Sequence, residues 1–291
     1  MLFRLASDLH FEWRLSPLPE RLPKTVNRHL LAKLPPGPRD KESILVLAGD
    51  ISSYKHQRLE ILRQLSRRFN RILYVPGNHE FYGGDISNWV EEVQTGLSQF
   101  SNVSCAPADG VGVVDLGEGV RALLTPLWSN YGLGSPLKMT QLSRTSDTRS
   151  ICFKGDPITP EGFGLLHKEC AEELKHHLEA AQEKGLQTVV ATHYVPSFTL
   201  RDVRYDAGVQ DEIFMSSQEE LMLANYAPAL WMFGHTHQAH RTRIGNTELR
   251  CNPCGYPREI PGGYNDLLTF EMPPPRSLPT PFDSITAKAK T

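Results

Sequence analysis

The chain has 291 residues, 40% of them hydrophobic, with 31 basic against 33 acidic side chains and a formal charge of -2. That length and composition support a sizeable soluble core in one large domain or two small ones, and the balanced charge, without a polybasic block, excludes generic attraction to nucleic acid or membrane surfaces. Five cysteines at irregular spacing argue against a disulfide scaffold and no apolar run approaches a membrane span, so the expected compartment is a reducing cytoplasm.

The opening "MLFRLASDLH" reads as a strand, Leu2 to Ala6, entering a polar turn rather than as a leader. Residues 14–43, rich in Pro and Arg, are expected to be an insertion before the second strand, Ile44 to Ala48. Leu59, Leu62, Leu65 and Phe69 sit at helical spacing within 57–69. The strand Ile72 to Val75 follows, and then a second helical pattern of Ile86, Trp89, Val90, Val93 and Leu97. A third helix has Thr159 as cap, Pro160 in its first turn and Gly185 as its stop; His176 and His177 on it are read as solvated. Further buried strands are Thr188 to Ala191 and Ala229 to Phe233. Strands at 111–116, 120–125, 239–244, 247–251 and 266–271, joined by short turns, predict antiparallel pairing between chain neighbours. The expected organisation is a single α/β domain over 1–271, with a Pro-rich tail at 272–291. Cys251 and Cys254 form a lone CxxC, which without a second pair is read as two ordinary thiols.

Polar clusters stand at the carboxyl ends of five of the apolar runs. "RLASDLH" supplies Asp8 and His10, "LVLAGDI" supplies Asp50, "LYVPGNHEF" supplies Asn78, His79 and Glu80, "VVATHYVPS" supplies His193, and "FGHTH" supplies His235 and His237. Each cluster alone fits a cap, a turn or a buried hydrogen-bonded ring. In an open α/β sheet, however, ligands bind beyond the carboxyl ends of the strands, so five such clusters are expected to meet in one crevice. Imidazole with Asp and Asn oxygen, and no thiolate, suits divalent ions from Mn to Zn.

The set DxH, GD, GNHE, a lone His and GHTH, spanning residues 8–237, resembles the calcineurin-like metallophosphoesterase superfamily. "LWSN", "THYVPS" and "CNPCGYP" resemble a bacterial and phage-type branch of it. The resemblance implies a four-layer α/β/β/α sandwich of mixed sheets flanked by helices. It also implies two ions: one held by Asp8, His10, Asp50 and His237, the other by Asp50, Asn78, His193 and His235, with Asp50 bridging. Mn is the first choice for both, with Fe, Zn, Co or Ni also compatible. Such a pair clamps a phosphoryl group and lowers the pKa of a shared water to about 7, making hydroxide the nucleophile.

His79, outside the implied ligand set, is read as a proton or hydrogen-bond donor to the phosphate or leaving oxygen, the other reading being a ring that holds Asn78 or its loop. Glu80 is a candidate to orient it, and Tyr82 and Glu12 are candidates to line the pocket or to sit at the surface. The chain continues its GD block as "GDISSYK", without the Asp and Arg of GDxxDRG in serine/threonine phosphoprotein phosphatases, so that activity is not expected. What remains is hydrolysis of a small phosphodiester or phosphomonoester, with a nucleotide among the candidates. The alternatives are a nuclease or nucleotide pyrophosphatase of the same fold, or a scaffold without catalysis. The residues that choose the substrate are sought in 14–43 and in 129–158, with Arg144, Asp147 and Arg149.

Overall fold

Apolar side chains alternate along the central strands, so each strand has one face for a partner sheet and the other for helices. The computed structural model describes residues 1–14, 22–130, 143–201, 211–259 and 262–274. Its strands, in chain order, are β1 Leu2–Ala6, β2 Ser43–Ala48, β3 Arg71–Val75, β4 Gly84–Asp85, β5 Val103–Cys105, β6 Gly112–Gly117 and β7 Val120–Leu124. They continue with β8 Ile151–Phe153, β9 Asp156–Pro157, β10 Gln187–Ala191, β11 Leu230–Phe233, β12 His240–Ile244, β13 Thr247–Cys251 and β14 Thr269–Glu271.

One sheet runs β14-β1-β2-β3-β5, a second runs β12-β13-β11-β10-β7-β6, and β4-β8-β9 form a small third. β1, β2, β3 and β5 are mutually parallel, as are β7, β10, β11 and β13. Phe3, Leu5, Val46, Ala48, Leu73 and Val75 of the first sheet bury against Ala122, Leu124, Val189, Ala191, Leu230 and Met232 of the second. The opposite face of the first sheet, with Leu45, Leu47 and Ile72, is covered by the helices Leu22–Lys33, Lys55–Leu65 and Trp89–Gly96. That of the second, with Leu123, Val190 and Trp231, is covered by Leu174 and Leu178 of the Pro160–Glu183 helix. These layers are the α/β/β/α arrangement expected.

The long helix starts as its sequence predicts: the Thr159 hydroxyl accepts from the Gly162 amide, and Pro160 occupies the first turn. The 14–43 insertion, by contrast, holds a helix that its composition concealed. Val26, Leu30 and Leu34 recur every four residues and are all buried, while the intervening Asn, Arg and His face outward. β6 and β7 pair antiparallel, as do β12 and β13, but β14 does not extend that run. It crosses to the first sheet and pairs with β1, placing Phe270 opposite Phe3. The short apolar core of β14 thus completes an edge of the other layer. All five cysteines are free, and Cys251 and Cys254 are buried thiols. Residues 275–291 of the expected tail lie outside the described residues. No helix among the described residues is long and apolar enough to cross a membrane.

Arg4 points out of the sandwich at the base of the first sheet and is 1% exposed. Its Nη1 binds Asp40 and its Nη2 the carbonyls of Pro35 and Asp266, each at 2.6 Å, while Arg68 reaches the other Asp40 oxygen at 2.8 Å. Burial acts to raise the Asp40 pKa, but hydrogen bonds from Arg68, the Gly37 amide and Arg4 prevail and hold it below the ordinary value. A lowered folded-state pKa contributes stability that is complete above the unfolded value of about 3.9 and is lost as pH falls through the folded value. Asp40→Asn should therefore destabilise the protein at pH 7 by about 3–5 kcal/mol, since Arg4 is left as an unpaired buried charge. In denaturant melts the gap from wild type should close on acidification below pH ~4; a neutral-pH change within ±0.5 kcal/mol, roughly that of a surface substitution, would contradict this.

Candidate metal centre

The loops after β1, β2, β3, β10 and β11 leave the same edge of the sandwich and are tied together by backbone hydrogen bonds. Asp8 N donates to the Gly49 carbonyl at 2.9 Å, His10 N to that of Asp50 at 3.0 Å, and Gly234 N to that of His193 at 3.0 Å. Three glycines permit this close approach. A Cβ on Gly49 would lie 2.1 Å from His193 Nδ1, on Gly77 2.2 Å from Asp50 Oδ1, and on Gly234 2.5 Å from the Ala48 carbonyl. The glycines of the GD, GN and GH blocks are thus required by space, and Gly49 also by its left-handed φ of 85°.

Asp8, His10, Asp50, His235 and His237 all have positive φ, between 44° and 69°. Left-handed backbone is costly for residues with a Cβ, so its concentration at these positions marks a site held in place by surrounding structure.

The expected ligand residues converge as two groups joined by a third. Ligand atoms of Asp8, His10 and His237 lie within 4.8 Å of one another, as do those of Asp50, His193 and His235, and those of His10, Asp50 and His79, the last being outside the expected ligand set. His10 Nε2 faces His237 Nε2 at 3.1 Å, and His193 Nε2 faces His235 Nδ1 at 3.0 Å and Asn78 Oδ1 at 3.1 Å. Asp50 stands between the groups, with Oδ2 3.8 Å from His10 Nε2 and Oδ1 3.5 Å from His193 Nε2.

Three of the four convergent imidazoles are aimed from behind. His193 Nδ1 donates to the Ala48 carbonyl at 2.9 Å, His237 Nδ1 to Glu259 at 2.6 Å, and His10 Nδ1 to Glu12 at 3.0 Å, leaving Nε2 of all three as lone-pair donors. Asp147 accepts from Asn78 Nδ2 at 2.8 Å and from the Tyr82 hydroxyl at 2.6 Å, which turns Asn78 Oδ1 toward His193. His235 Nε2 is buried without a hydrogen-bond partner. Facing imidazole nitrogens beside carboxylate oxygens, three of the rings already hydrogen-bonded on their far sides, fit divalent cations of the Mn-to-Zn range.

His79 lies against both groups. Its Nδ1 donates to Glu12 Oε1 at 3.0 Å, its Nε2 is 3.2 Å from the Tyr256 hydroxyl, and its ring stacks on Tyr82 with centroids 4.2 Å apart. Burial acts to lower its pKa, but the charge of Asp50 and the hydrogen bond to Glu12 outweigh that and push it up to about 9. Glu80 does not orient His79. Its carboxylate accepts from the amides of Gly77, Asp50 and Ile51 at 2.6–2.9 Å, locking the loops after β2 and β3 to each other.

A cavity of about 430 Å³ opens over this centre. Asn78, His79, Tyr82 and Asp147 line one side, and Ile213, Phe214 and Met215 supply an apolar wall opposite. No described residue of the 14–43 insertion lines it, contrary to expectation, whereas Thr145, Ser146 and Asp147 of the other expected segment do. Tyr256 and Glu259 also contribute, although the sequence reading noted only their "CNPCGYP" neighbourhood. The sole signal for them was polar residues clustered after β13.

Comparison with known proteins agrees with this geometry. The family model for calcineurin-like phosphoesterases matches residues 1–239. A relative, the uncharacterized protein L509 of Acanthamoeba polyphaga mimivirus, is 22% identical over 275 residues, 89% of this chain and 92% of that protein. The phosphopantetheinyl hydrolase PptH of Mycobacterium tuberculosis superposes with a TM-score of 0.61 at 18% identity, over 87% of this chain and 89% of its own, a likeness of fold.

The close approach at Gly77 yields a direct test. Gly77→Ala should reduce metal binding, measured by titration calorimetry, by at least tenfold, because displacing Asp50 and His193 disturbs both groups; this is the lower end of the roughly 10–100-fold cost of disturbing a metal site's supports. Gly84→Ala, where the nearest atom is the Phe81 carbonyl at 3.5 Å, serves as the control and should bind as wild type. Equal binding by both variants would contradict the packing account.

Proposed function

The chain belongs to the calcineurin-like phosphoesterase family, and from that premise we propose that it is a dinuclear, metal-dependent hydrolase of a small phosphomonoester or phosphodiester. The observation that carries two ions rather than one is the placement of Asp50, whose two oxygens face different imidazole groups. Asp8, His10 and His237 would hold one ion and Asn78, His193 and His235 the other, with Asp50 shared between them. Mn is the ion we favour, and the five free thiols accord with a reducing cytoplasm.

When bound, the ions supply Lewis acidity toward the phosphoryl oxygens and a water acidic enough to ionise near neutral pH. The protein's residues do the rest. Asn78 contributes an oxygen without a further negative charge beside an anionic substrate. His79 stands at the cavity with its Nδ1 proton engaged by Glu12, so Nε2 is the atom that delivers a proton to the departing oxygen. Ile213, Phe214 and Met215 exclude water from one side and seat the organic portion of the ester. The net charge of -2 supplies no general attraction for a nucleic-acid backbone, which favours a small ester over a polymer.

Chelation should abolish hydrolysis of p-nitrophenyl phosphate esters and Mn should restore it, with two ions per chain by elemental analysis. Asp50→Asn should lower occupancy at both sites, and His235→Ala and His237→Ala mainly at one each. Two tightly held ions and normal turnover in Asp50→Asn would contradict the assignment. His79→Ala should retain its ions while turnover falls by about 10²–10⁴-fold, most for poor leaving groups; an equal fall for all leaving groups with loss of metal would make His79 structural.

A further inference from the structure

His10 and His79 come from different loops, yet a single atom touches both. Glu12 Oε1 lies 3.0 Å from His10 Nδ1 and 3.0 Å from His79 Nδ1, while Glu12 Oε2 has no hydrogen-bond partner. The two rings meet edge to face, with centroids 4.5 Å apart. This arrangement is built by the short 3-10 turn Phe11–Trp13, which follows His10 in its left-handed conformation. Phe11 is fully buried and anchors the turn, Trp13 points to solvent, and Glu12 between them folds back under both imidazoles with its side chain 7% exposed.

No neighbouring carboxylate substitutes for it. Glu80 is occupied by backbone amides, Asp147 by Asn78 and Tyr82, and Glu259 by His237 and the Tyr256 amide.

We propose that Glu12 is a positioning residue that couples the proton donor to the metal centre, by engaging the Nδ1 protons of His10 and His79 through one shared oxygen. Which nitrogen of an imidazole serves as ligand or donor is set by the hydrogen bond made by the other. With both Nδ1 protons committed to Glu12, His10 directs Nε2 at Asp50 and His237, and His79 directs Nε2 at the cavity beside Tyr256. One carboxylate thus fixes the distance between a ligand ring and a donor ring.

The proposal rests on the reading of His79 as the proton donor, and the test separates the two. Imidazole ¹⁵N shifts of the zinc-loaded wild type, recorded without substrate, should show His10 and His79 protonated at Nδ1, and Glu12→Gln should lose that pattern on at least one ring. An Nδ1 without a proton on either ring of the wild type overturns the proposal whether or not the protein hydrolyses any ester. In turnover with Mn and esters of graded leaving-group pKa, Glu12→Gln should reduce kcat for alkyl leaving groups by about 10–100-fold and for p-nitrophenolate far less. Introduced into His79→Ala, the same substitution should leave the leaving-group dependence unchanged, because the two residues act as one unit. Wild-type dependence in Glu12→Gln, or effects of the two substitutions that multiply, would overturn the proposal. Wild-type protein that shows the expected Nδ1 protonation but hydrolyses no ester would instead defeat the reading of His79 while leaving the hydrogen-bond role intact.

Discussion

Burying the carboxyl groups of Asp8 and Asp50 is the constraint on which the rest of the structure depends. Both carboxylates are at most 1% exposed, and such charges are tolerated only where hydrogen bonds and opposite charge replace water. Asp8 accepts from the His235 amide through both oxygens at 3.1 Å, and Asp50 accepts from the His79 amide at 2.9 Å. Each carboxylate is therefore held by the backbone of a different loop. The loops in turn approach closely only because Gly49, Gly77 and Gly234 lack side chains. Burial acts against ionisation of Asp8, but the hydrogen bond and positive charge of His237 prevail and hold its pKa well below the usual carboxylate range.

The sandwich makes the convergence inevitable once the strands are set. Parallel β1, β2 and β3 in one sheet and parallel β10 and β11 in the other deliver their carboxyl ends to one edge, where the apolar layer between the sheets gives way to polar loops. Hydrophobic burial fixes the strands and so the loops without involving any ligand residue. The hydrogen bonds behind the imidazoles then aim individual atoms. Packing places the rings, and the contacts to Ala48, Glu259 and Glu12 decide which nitrogen faces inward.

Much of this was legible because short continuous apolar runs and glycine-punctuated polar clusters are local signals. The five principal strands ended within a residue or so of the expected limits, and the side chains of Asp8, His10, Asp50, Asn78, His193, His235 and His237 lie close together. What escaped depends on contacts distant in sequence. Glu12 and His79 are 67 residues apart and Asn78 and Asp147 are 69 apart, so no spacing rule links them. Glu80 misled because adjacency to His79 implied a partnership, whereas the 3-10 turn after Asn78 directs it to the backbone amides. The crossing of β14 to β1 was hidden for the same reason, a three-residue strand carrying no information about which edge it joins.

The central claim, that two ions share Asp50, is met most directly by anomalous diffraction from manganese-soaked crystals. Two peaks about 3.5–4 Å apart are predicted, one beside Asp8, His10 and His237 and the other beside Asn78, His193 and His235, with one Asp50 oxygen directed at each. A single peak at saturating manganese, or two peaks with Asp50 contacting only one, would contradict the account.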